Sequence, residues 1–256
     1  MTQALTYLIT GASRGIGRGF VFALLQKPST TVIAAVRDPS KASSKSLADL
    51  PKAAGSKLII VKIDSVENSD ASNAVRQLQE DHDIKHLDVV IANAGIAHSG
   101  KPVIANSTDV VLEHFSINAI GPLILFQATA GLLKASKSGR PTFIAISTLI
   151  GSISSMELLA QFPSTMSPYG ASKAALNWFV RRIHFEEPWL TSFVFHPGLV
   201  QTDMASRTIE GTSLKLEDLG AITVEESVTG MIKTIESASR EISGTFQNYD
   251  GTVVPW

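Results

Sequence analysis

The sequence predicts an α/β fold in which an open, doubly wound parallel sheet carries helices on both faces. Short runs rich in β-branched residues are apolar almost throughout, which is typical of parallel strands buried on both faces. Segments with helical spacing, such as 16–24 and 71–78, separate these runs, and parallel neighbours require such crossover helices. The predicted strands are Leu5–Thr10, Thr31–Val36, Leu58–Ile63, Leu87–Ala92, Thr142–Ser147, Ser192–His196 and Thr245–Tyr249.

Length and composition predict an ordinary globular protein with a sizeable core. The chain has 256 residues, of which 44% are hydrophobic and 18% are charged. No linker, internal repeat or low-complexity segment divides it, so we expect a single domain over residues 1–256. The formal charge of -1, without a basic block, argues against a nucleic-acid partner, because phosphate binding requires clustered cations.

The absence of cysteine excludes disulfide scaffolds, thiolate nucleophiles and Cys-based zinc sites. Because the first ten residues also lack the pattern of a signal peptide, we expect a cytoplasmic protein. The longest uncharged run, His114–Leu133, contains Asn118, Gly121 and Pro122, so it predicts a buried helix and no membrane association. The six His residues are expected to have surface or packing roles, with no metal site.

A glycine-rich turn follows the first predicted strand. The segment Thr10–Gly17 reads TGASRGIG, and helical spacing begins at Ile16. In such a turn Gly11 bends the chain tightly, Gly15 lets backbone N–H groups approach a pyrophosphate, and Gly17 allows the helix to pack closely on the sheet. The helix N-terminus adds partial positive charge. The turn therefore predicts a Rossmann-type dinucleotide site; a glycine-rich turn without a ligand is the alternative.

The end of the second strand favours NADP(H) over NAD(H). Val36 stands at about the distance where an acidic residue would accept a hydrogen bond from the ribose 2′-hydroxyl. Arg37 follows it, and Arg14 lies in the glycine turn, so a 2′-phosphate would gain charge-assisted hydrogen bonds. The alternative is that residues 37–41 form only a solvated turn in which Asp38 pairs with its own neighbours.

A Tyr–Lys pair begins a predicted helix that runs to about Glu186. Tyr169 and Lys173 are four residues apart and therefore share one helical face. A phenol has an ordinary pKa of about 10, and a nearby ammonium lowers it, so Lys173 is expected to prepare Tyr169 for proton exchange. The fifth strand ends at Ser147 and Thr148, whose hydroxyls are candidates for holding a carbonyl at the carboxyl edge of the sheet.

Together these features resemble the short-chain dehydrogenase/reductase family, from about residue 10 to residue 202. The matching motifs are the glycine turn Thr10–Gly17, Asp64 after the third strand, Asn93-Ala94-Gly95, Asn118, Tyr169 with Lys173, and Pro197-Gly198 followed by Thr202. More narrowly, the segments HPGLVQTDM and NYDGTVVPW are similar to the carbonyl reductase and fungal polyketide (norsolorinic acid-type) ketoreductase branch.

The resemblance implies a strand order of 3-2-1-4-5-6-7 and hydride transfer between NADP(H) and the carbonyl carbon of an apolar or aromatic, polyketide-like substrate. It also implies a homodimer or homotetramer. The implied cofactor-binding residues are Gly11, Ser13, Arg14, Gly15, Ile16, Gly17, Arg37, Asp64, Asn93, Ala94, Gly95, Tyr169, Lys173, Pro197, Gly198, Val200 and Thr202.

The resemblance also implies roles for the polar residues of the site. Tyr169 is the general acid in reduction, and Lys173 bonds the nicotinamide ribose. Asn118 is expected to anchor a water that leads to Lys173; a helix kink satisfied by local backbone is the alternative. Asp64 and Asn93 are expected to adjoin the adenine and ribose, and turn chemistry is the alternative for both.

One position departs from the family pattern. Counting back from Gly151 places the catalytic serine of the family on Thr148, whereas the serine of the pair is Ser147. Because of this count we favour Thr148, whose hydroxyl is still able to donate to a substrate oxygen.

Two segments are candidates for the substrate pocket. Residues 152–167 offer pocket walls, with core packing as the alternative, and residues 203–220 form a candidate lid, with a packed amphipathic helix or a subunit contact as the alternative. A catalytically silent NADPH sensor or scaffold is the rival function. The apolar residues of the two segments are Met156, Leu158, Leu159, Phe162, Met166, Met204, Ile209, Leu214 and Leu216.

Overall fold

All seven predicted strands form one sheet in the computed structural model, which describes residues 4–98, 101–160, 166–209 and 215–256. The order is β3-β2-β1-β4-β5-β6-β7-β8, and every pair is parallel except β7 with β8. The α/β class and the order are therefore confirmed. The strands are β1 Thr6–Thr10, β2 Thr31–Val36, β3 Lys57–Lys62, β4 Val89–Ala92, β5 Thr142–Ile146, β6 Thr191–His196, β7 Phe246–Asn248 and β8 Val253–Val254.

The eighth strand corrects the predicted number of strands. β8 contains only Val253 and Val254, and it folds back on β7 through a turn at Asp250 and Gly251. Two residues between a turn and Pro255 are too few to produce an apolar run, which is the signal that identified the other strands.

The helices lie between the strands, as the alternation predicts. They are α1 Gly15–Leu25, α2 Ala42–Lys45, α3 Asp70–Asp81, α4 Thr108–Phe115, α5 Gly121–Lys134, α6 Met156–Leu159, α7 Ser167–Glu186, α8 Asp203–Thr208 and α9 Val224–Ser237. A π-helical turn, Ser116–Ile120, joins α4 to α5, and short 3₁₀ turns occupy Val103–Ala105, Leu149–Gly151 and Glu217–Leu219.

Two apolar layers cover the two faces of the sheet. Because successive strand residues point to opposite faces, Leu8 belongs to one layer and Ile9 to the other. The first layer includes Val90, Phe143, Leu78 of α3, Leu125 of α5 and Leu176 of α7. The second includes Ile91, Phe193, Phe20 and Leu24 of α1, and Met231 of α9.

The stretch from Thr108 to Lys134 is long and apolar enough to cross a membrane by length and composition alone. Its side chains Leu125, Phe126, Leu132 and Leu133 are buried in the first apolar layer. Within the part of the chain that the structure describes, this stretch is therefore a helix of the protein core, as the sequence predicts.

The direction in which successive strands are added to the sheet reverses between β1 and β4. The chain runs outward from β1 to β2 and β3 and then returns to place β4 on the other side of β1. In open α/β sheets the crevice at such a point, outside the carboxyl ends of the strands, is where ligands bind. The glycine turn follows β1 and the Asn93-Ala94-Gly95 motif follows β4, so both lie at this crevice.

Candidate active site

Glycine is required in the turn after β1 for both conformation and space. Gly11 and Gly15 have φ of 64° and 53°, which is the left-handed region. A Cβ on Gly11 would lie 2.9 Å from the Cα of Ala94. A Cβ on Gly17 would collide with the carbonyl oxygen of Gly11 and lie 2.6 Å from Nδ2 of Asn93. The tight turn and the close approach of helix α1 are therefore both present.

Asn93 fastens this turn to the end of β4. Its Nδ2 donates to the carbonyl oxygen of Thr10 at 2.9 Å. The Thr10 hydroxyl oxygen accepts from the N–H groups of Asn93 and Ala94, each at 3.0 Å. The Asn93 side chain thus makes turn contacts, which was the alternative considered for it. Asp64 likewise accepts from the N–H of Val66 at 3.3 Å, and it lines the same surface cavity as Thr10 and Ala94.

The first turn of α1 has the properties of an anion site. Arg14 is the N-cap residue and makes no side-chain capping bond, and no acidic residue lies in the first turn. The N–H groups of this turn are therefore not satisfied by a cap, and a phosphate fits them. Ser13 and Ile16 are partly exposed in the same turn.

The segment after β6 reaches the glycine turn. A Cβ on Gly15 would lie 3.5 Å from the methyl group of Thr202. Thr202 caps α8 by accepting from the N–H of Ala205 at 3.3 Å. Before it, Gly198 has φ of 82° and Val200 is buried and pairs with Ile222. The buried Pro197 accepts from the Ser227 hydroxyl at 2.6 Å.

The cations expected to recognise a 2′-phosphate are exposed. Arg37 directly follows the buried Val36. Asp38 accepts from the N–H and hydroxyl of Ser40 at 2.9 and 2.6 Å, and these hydrogen bonds, with smaller contributions from the charges of Lys41 and Arg37, lower its pKa. The solvated turn considered as the alternative is therefore present, and it leaves the guanidinium of Arg37 accessible. Arg14 pairs with Asp203 at 3.5 Å on the surface.

Tyr169 and Lys173 lie side by side in α7. The Nζ atom of Lys173 is 5.9 Å from the centre of the Tyr169 ring, and it donates to the carbonyl oxygen of Ile146 at 2.6 Å. Both side chains are buried, with 9% of Tyr169 and 4% of Lys173 exposed. A Cβ on Gly95 would lie 3.5 Å from the Lys173 nitrogen, so the Asn93-Ala94-Gly95 motif adjoins the pair.

The expected lowering of the Tyr169 pKa is wrong for the protein without a bound cofactor. Burial raises the pKa of Tyr169 to about 12, and the hydrogen bond with Thr148 acts in the opposite direction. Burial also lowers the pKa of Lys173 to about 7. Desolvation disfavours the charged form of both groups, and an ammonium that gives up its proton near neutrality does little to stabilise a phenolate. In this structure burial therefore outweighs the charge of Lys173.

Thr148, rather than Ser147, contacts the phenol. The Thr148 hydroxyl forms a hydrogen bond with Tyr169 and also accepts from the N–H of Ile150 at 3.3 Å. The Ser147 hydroxyl donates to Oδ1 of Asn177 at 2.6 Å. The two candidates thus have different partners, and Thr148 is the one beside Tyr169.

Asn118 lies in the π-helical turn Ser116–Ile120 and is completely buried. Its Oδ1 accepts from the N–H of Ile96 at 2.9 Å, and its Nδ2 donates to the carbonyl oxygen of Ile96 at 2.9 Å. Nδ2 also donates to the Ser172 hydroxyl at 3.0 Å. The kink considered as an alternative is present, but a distant strand-end segment, and not local backbone, satisfies the side chain.

Sequence reasoning missed two polar residues of this site. Asn177 is 4% exposed and bonds Ser147. Its position four residues after Lys173 was an available signal, since such residues share a helical face. His196, at the end of β6, accepts at Nδ1 from the N–H of Leu149 at 3.3 Å. Burial lowers the pKa of His196 to about 4, so the ring is neutral and able to accept at neutral pH.

The two candidate pocket segments are only partly described. Met156 and Leu158 are 62% and 55% exposed, which excludes core packing for them. Leu216 is buried, and residues 203–208 form the short helix α8. Phe162 and Leu214 lie outside the described residues. Among those described, no three His, Asp or Glu side chains form a group that would hold a metal ion.

Comparisons with known proteins match nearly the whole chain in sequence and in fold. A family model described as short chain dehydrogenase matches residues 6–213. The norsolorinic acid ketoreductase of Dothistroma septosporum is 45% identical over all of this chain and 94% of its own length. That of Aspergillus parasiticus is 41% identical over 99% of this chain and 92% of its own length. The crystal structure of NADPH-bound carbonyl reductase from chicken fatty liver has a TM-score of 0.86 and 32% identity, covering 99% of this chain and 100% of that one.

Proposed function

Because this chain belongs to the short-chain dehydrogenase/reductase family, we propose that it is an NADPH-dependent ketoreductase acting on an apolar or aromatic carbonyl compound. The family resemblance and its narrower branch are confirmed. The chain is accordingly an oxidoreductase acting on CH–OH and C=O groups. The cofactor, the substrate class and the roles of individual residues form the proposal.

The observation that carries the proposal is the buried phenol of Tyr169, which is hydrogen-bonded to Thr148 and adjoins Lys173. These three groups lie at the carboxyl edge of the sheet, where β4 and β5 end beside the glycine turn. A donor pair in a desolvated pocket is suited to a carbonyl oxygen that gains negative charge during reduction.

The residues around the glycine turn fit NADPH. The cradle formed by Gly11 and Gly17 has no room for side chains, and the α1 N-terminus has no cap. Arg37 is the exposed cation next to Val36, where a carboxylate would repel a 2′-phosphate. When bound, NADPH supplies the hydride. The chicken carbonyl reductase carries NADPH in its crystal structure, which supports the same cofactor here.

We assign the remaining steps to side chains of the site. Thr148 and Tyr169 donate hydrogen bonds to the substrate carbonyl oxygen and hold it in place. Tyr169 then gives its proton to that oxygen, and with a pKa of about 12 the phenol is fully protonated at neutral pH. Lys173, with a pKa of about 7, is poised to move a proton to Tyr169 and would contact the ribose of a bound NADPH.

An apolar substrate is supported by the surface of the loops around this edge. Ile153, Met156 and Leu158 follow β5 and are 71%, 62% and 55% exposed. Val103 and Ile104 follow β4 and are 77% and 97% exposed. Exposed apolar side chains concentrated in loops at a crevice favour an apolar ligand. The relatives named for norsolorinic acid support a polyketide-like ketone. Cytoplasmic location and assembly as a homodimer or homotetramer stay predictions.

The proposal is tested by following NADPH oxidation with a panel of aryl ketones and quinones. We expect turnover with at least one polycyclic aromatic ketone and little with small polar aldehydes, because the surrounding loop surface is apolar. If NADPH binds tightly but is not oxidised with any compound of the panel, the proposal is wrong, and the alternative of a catalytically silent NADPH-binding sensor or scaffold is favoured.

Replacing Arg37 by Ala should weaken the binding of NADPH relative to that of NADH. A lost charge-assisted hydrogen bond to phosphate corresponds to about 1.5–3 kcal/mol, or about tenfold to a hundredfold weaker NADPH binding. NADH binding should be unchanged, because NADH has no 2′-phosphate. Dissociation constants from the fluorescence of the bound dinucleotide measure both, with Arg76→Ala as the control for an exposed arginine on α3. Equal weakening for both cofactors would contradict the assignment.

A further inference from the structure

The hydroxyl of Ser147 forms its hydrogen bond with Asn177 and not with the phenol of Tyr169. Ser147 follows β5, is 1% exposed and donates its hydroxyl hydrogen to Oδ1 of Asn177 at 2.6 Å. Asn177 is 4% exposed and belongs to α7, the helix that carries Tyr169 and Lys173. A short hydrogen bond between two buried groups is retained strongly, since breaking it leaves a desolvated polar atom unpaired.

Asn177 also holds the other end of the loop that follows β5, residues 147–151. Its Nδ2 donates to the carbonyl oxygen of Gly151 at 3.1 Å. Gly151 packs directly on α7, because a Cβ there would lie 2.8 Å from the Cβ of Lys173. One amide side chain therefore fixes the residue before Thr148 and the third residue after it.

The same loop is anchored to β6 by two further bonds. The N–H of Ser147 donates to the carbonyl oxygen of Phe195 at 2.7 Å, and the N–H of Leu149 donates to Nδ1 of His196 at 3.3 Å. These bonds fix the backbone on either side of Thr148 against the sheet. The Asn177 bridge adds what they lack, which is a tie between the loop and the helix of Tyr169.

We propose that Ser147 and Asn177 form a positioning clamp that holds the Thr148 hydroxyl against the Tyr169 phenol, and that Ser147 does not contact the substrate. The inference rests on the proposed function, because it assigns Thr148 and Tyr169 to the carbonyl oxygen. It gives the serine of the Ser147-Thr148 pair a role distinct from that of a catalytic residue.

The clamp has a signature in the pH profile. The hydrogen bond from Thr148 opposes the rise in the Tyr169 pKa that burial causes. When the clamp is broken, Thr148 is no longer held, and the phenolate loses that support. Alcohol oxidation requires deprotonated Tyr169, so its pH midpoint should move upward in a clamp variant. A buried hydroxyl that is only structural would not move this midpoint.

The test is a double-mutant cycle with Ser147→Ala, Asn177→Ala and the double variant. Loss of one positioning hydrogen bond is expected to lower kcat about tenfold in each single variant. The double variant should be no worse than Asn177→Ala, because that variant already removes the bond to Ser147 together with the bond to Gly151. Ser147→Thr, which keeps the hydroxyl, should recover most of the rate. Thr129→Val, which removes a buried hydroxyl in α5, is the control for stability alone.

If the losses in kcat of the two single variants multiply in the double variant, or if the pH midpoint of alcohol oxidation is unchanged in the single variants, the clamp is wrong. Ser147 would then again be a candidate for contacting the substrate. A crystal structure of Asn177→Ala gives a readout that requires no turnover. In it, Thr148 should have lost its hydrogen bond to Tyr169; an unchanged bond contradicts the clamp. Failure of the proposed function is distinguished from this outcome, because it would appear as full turnover in a Tyr169→Phe variant.

Discussion

Tyr169→Phe should abolish carbonyl reduction while NADPH binding and folding are retained. Removal of a general acid corresponds to a loss of about a hundredfold to ten-thousandfold in kcat. The Phe ring fills the same space in a site that is 9% exposed, and the hydroxyl that is lost bonds Thr148 within the described chain. The measurements are kcat for the best ketone, the NADPH dissociation constant and the Tm.

Tyr7→Phe is the matched control for this change. Tyr7 is 2% exposed, and burial raises its pKa to about 12, as for Tyr169. It lies in β1 near the amino edge of the sheet, where it lines a cleft with Asp88 and Arg140. Its variant should keep full turnover. Undiminished kcat in Tyr169→Phe would remove Tyr169 from the mechanism.

Lys173→Met should lose turnover and gain stability. Burial holds the pKa of Lys173 at about 7, against an ordinary value of 10.5. Below the folded pKa the ammonium is buried at its full free-energy cost. Between the two values the unfolded chain binds a proton that the folded chain does not, so the wild type becomes more stable as the pH rises. The advantage of the Met variant is therefore largest below pH 7 and shrinks above it.

The free energy of unfolding measured against pH checks this sign. The advantage of Lys173→Met should fall by about 3 kcal/mol as the pH rises from about 7 to about 9. The variant leaves the Ile146 carbonyl oxygen without the Lys173 donor, which offsets part of its gain at every pH. Lys45→Met, at an exposed position of α2, should show no such slope. A parallel course of wild type and Lys173→Met would mean that Lys173 is charged at neutral pH.

The fold was predictable because its signals are periodic and local. Strands such as Thr31–Val36 are buried on both faces and therefore read as continuous apolar runs. The spacing of Tyr169 and Lys173 fixes their shared face, and the structure places the two side chains together. β8 has neither signal, because it contains two residues and depends on pairing with β7.

The electrostatics of the site was less predictable than its residues. Sequence spacing indicates that an ammonium is near a phenol, but the pKa of Tyr169 depends on how completely both groups are desolvated. The contact of Asn118 with Ile96 joins segments that are distant in sequence. The choice between Ser147 and Thr148 likewise depends on the partner each hydroxyl finds on α7. Such tertiary partners leave no pattern in one sequence.

The two edge strands of the sheet affect how readily the protein aggregates at high concentration. One edge strand is β3, whose first and last residues, Lys57 and Lys62, are exposed. The other is β8, which spans two residues and is followed by Pro255. Charge, brevity and proline each hinder a foreign chain from adding itself to an open backbone ladder. The protein should therefore resist intermolecular strand addition and fibrillar aggregation, even though its strands are strongly apolar.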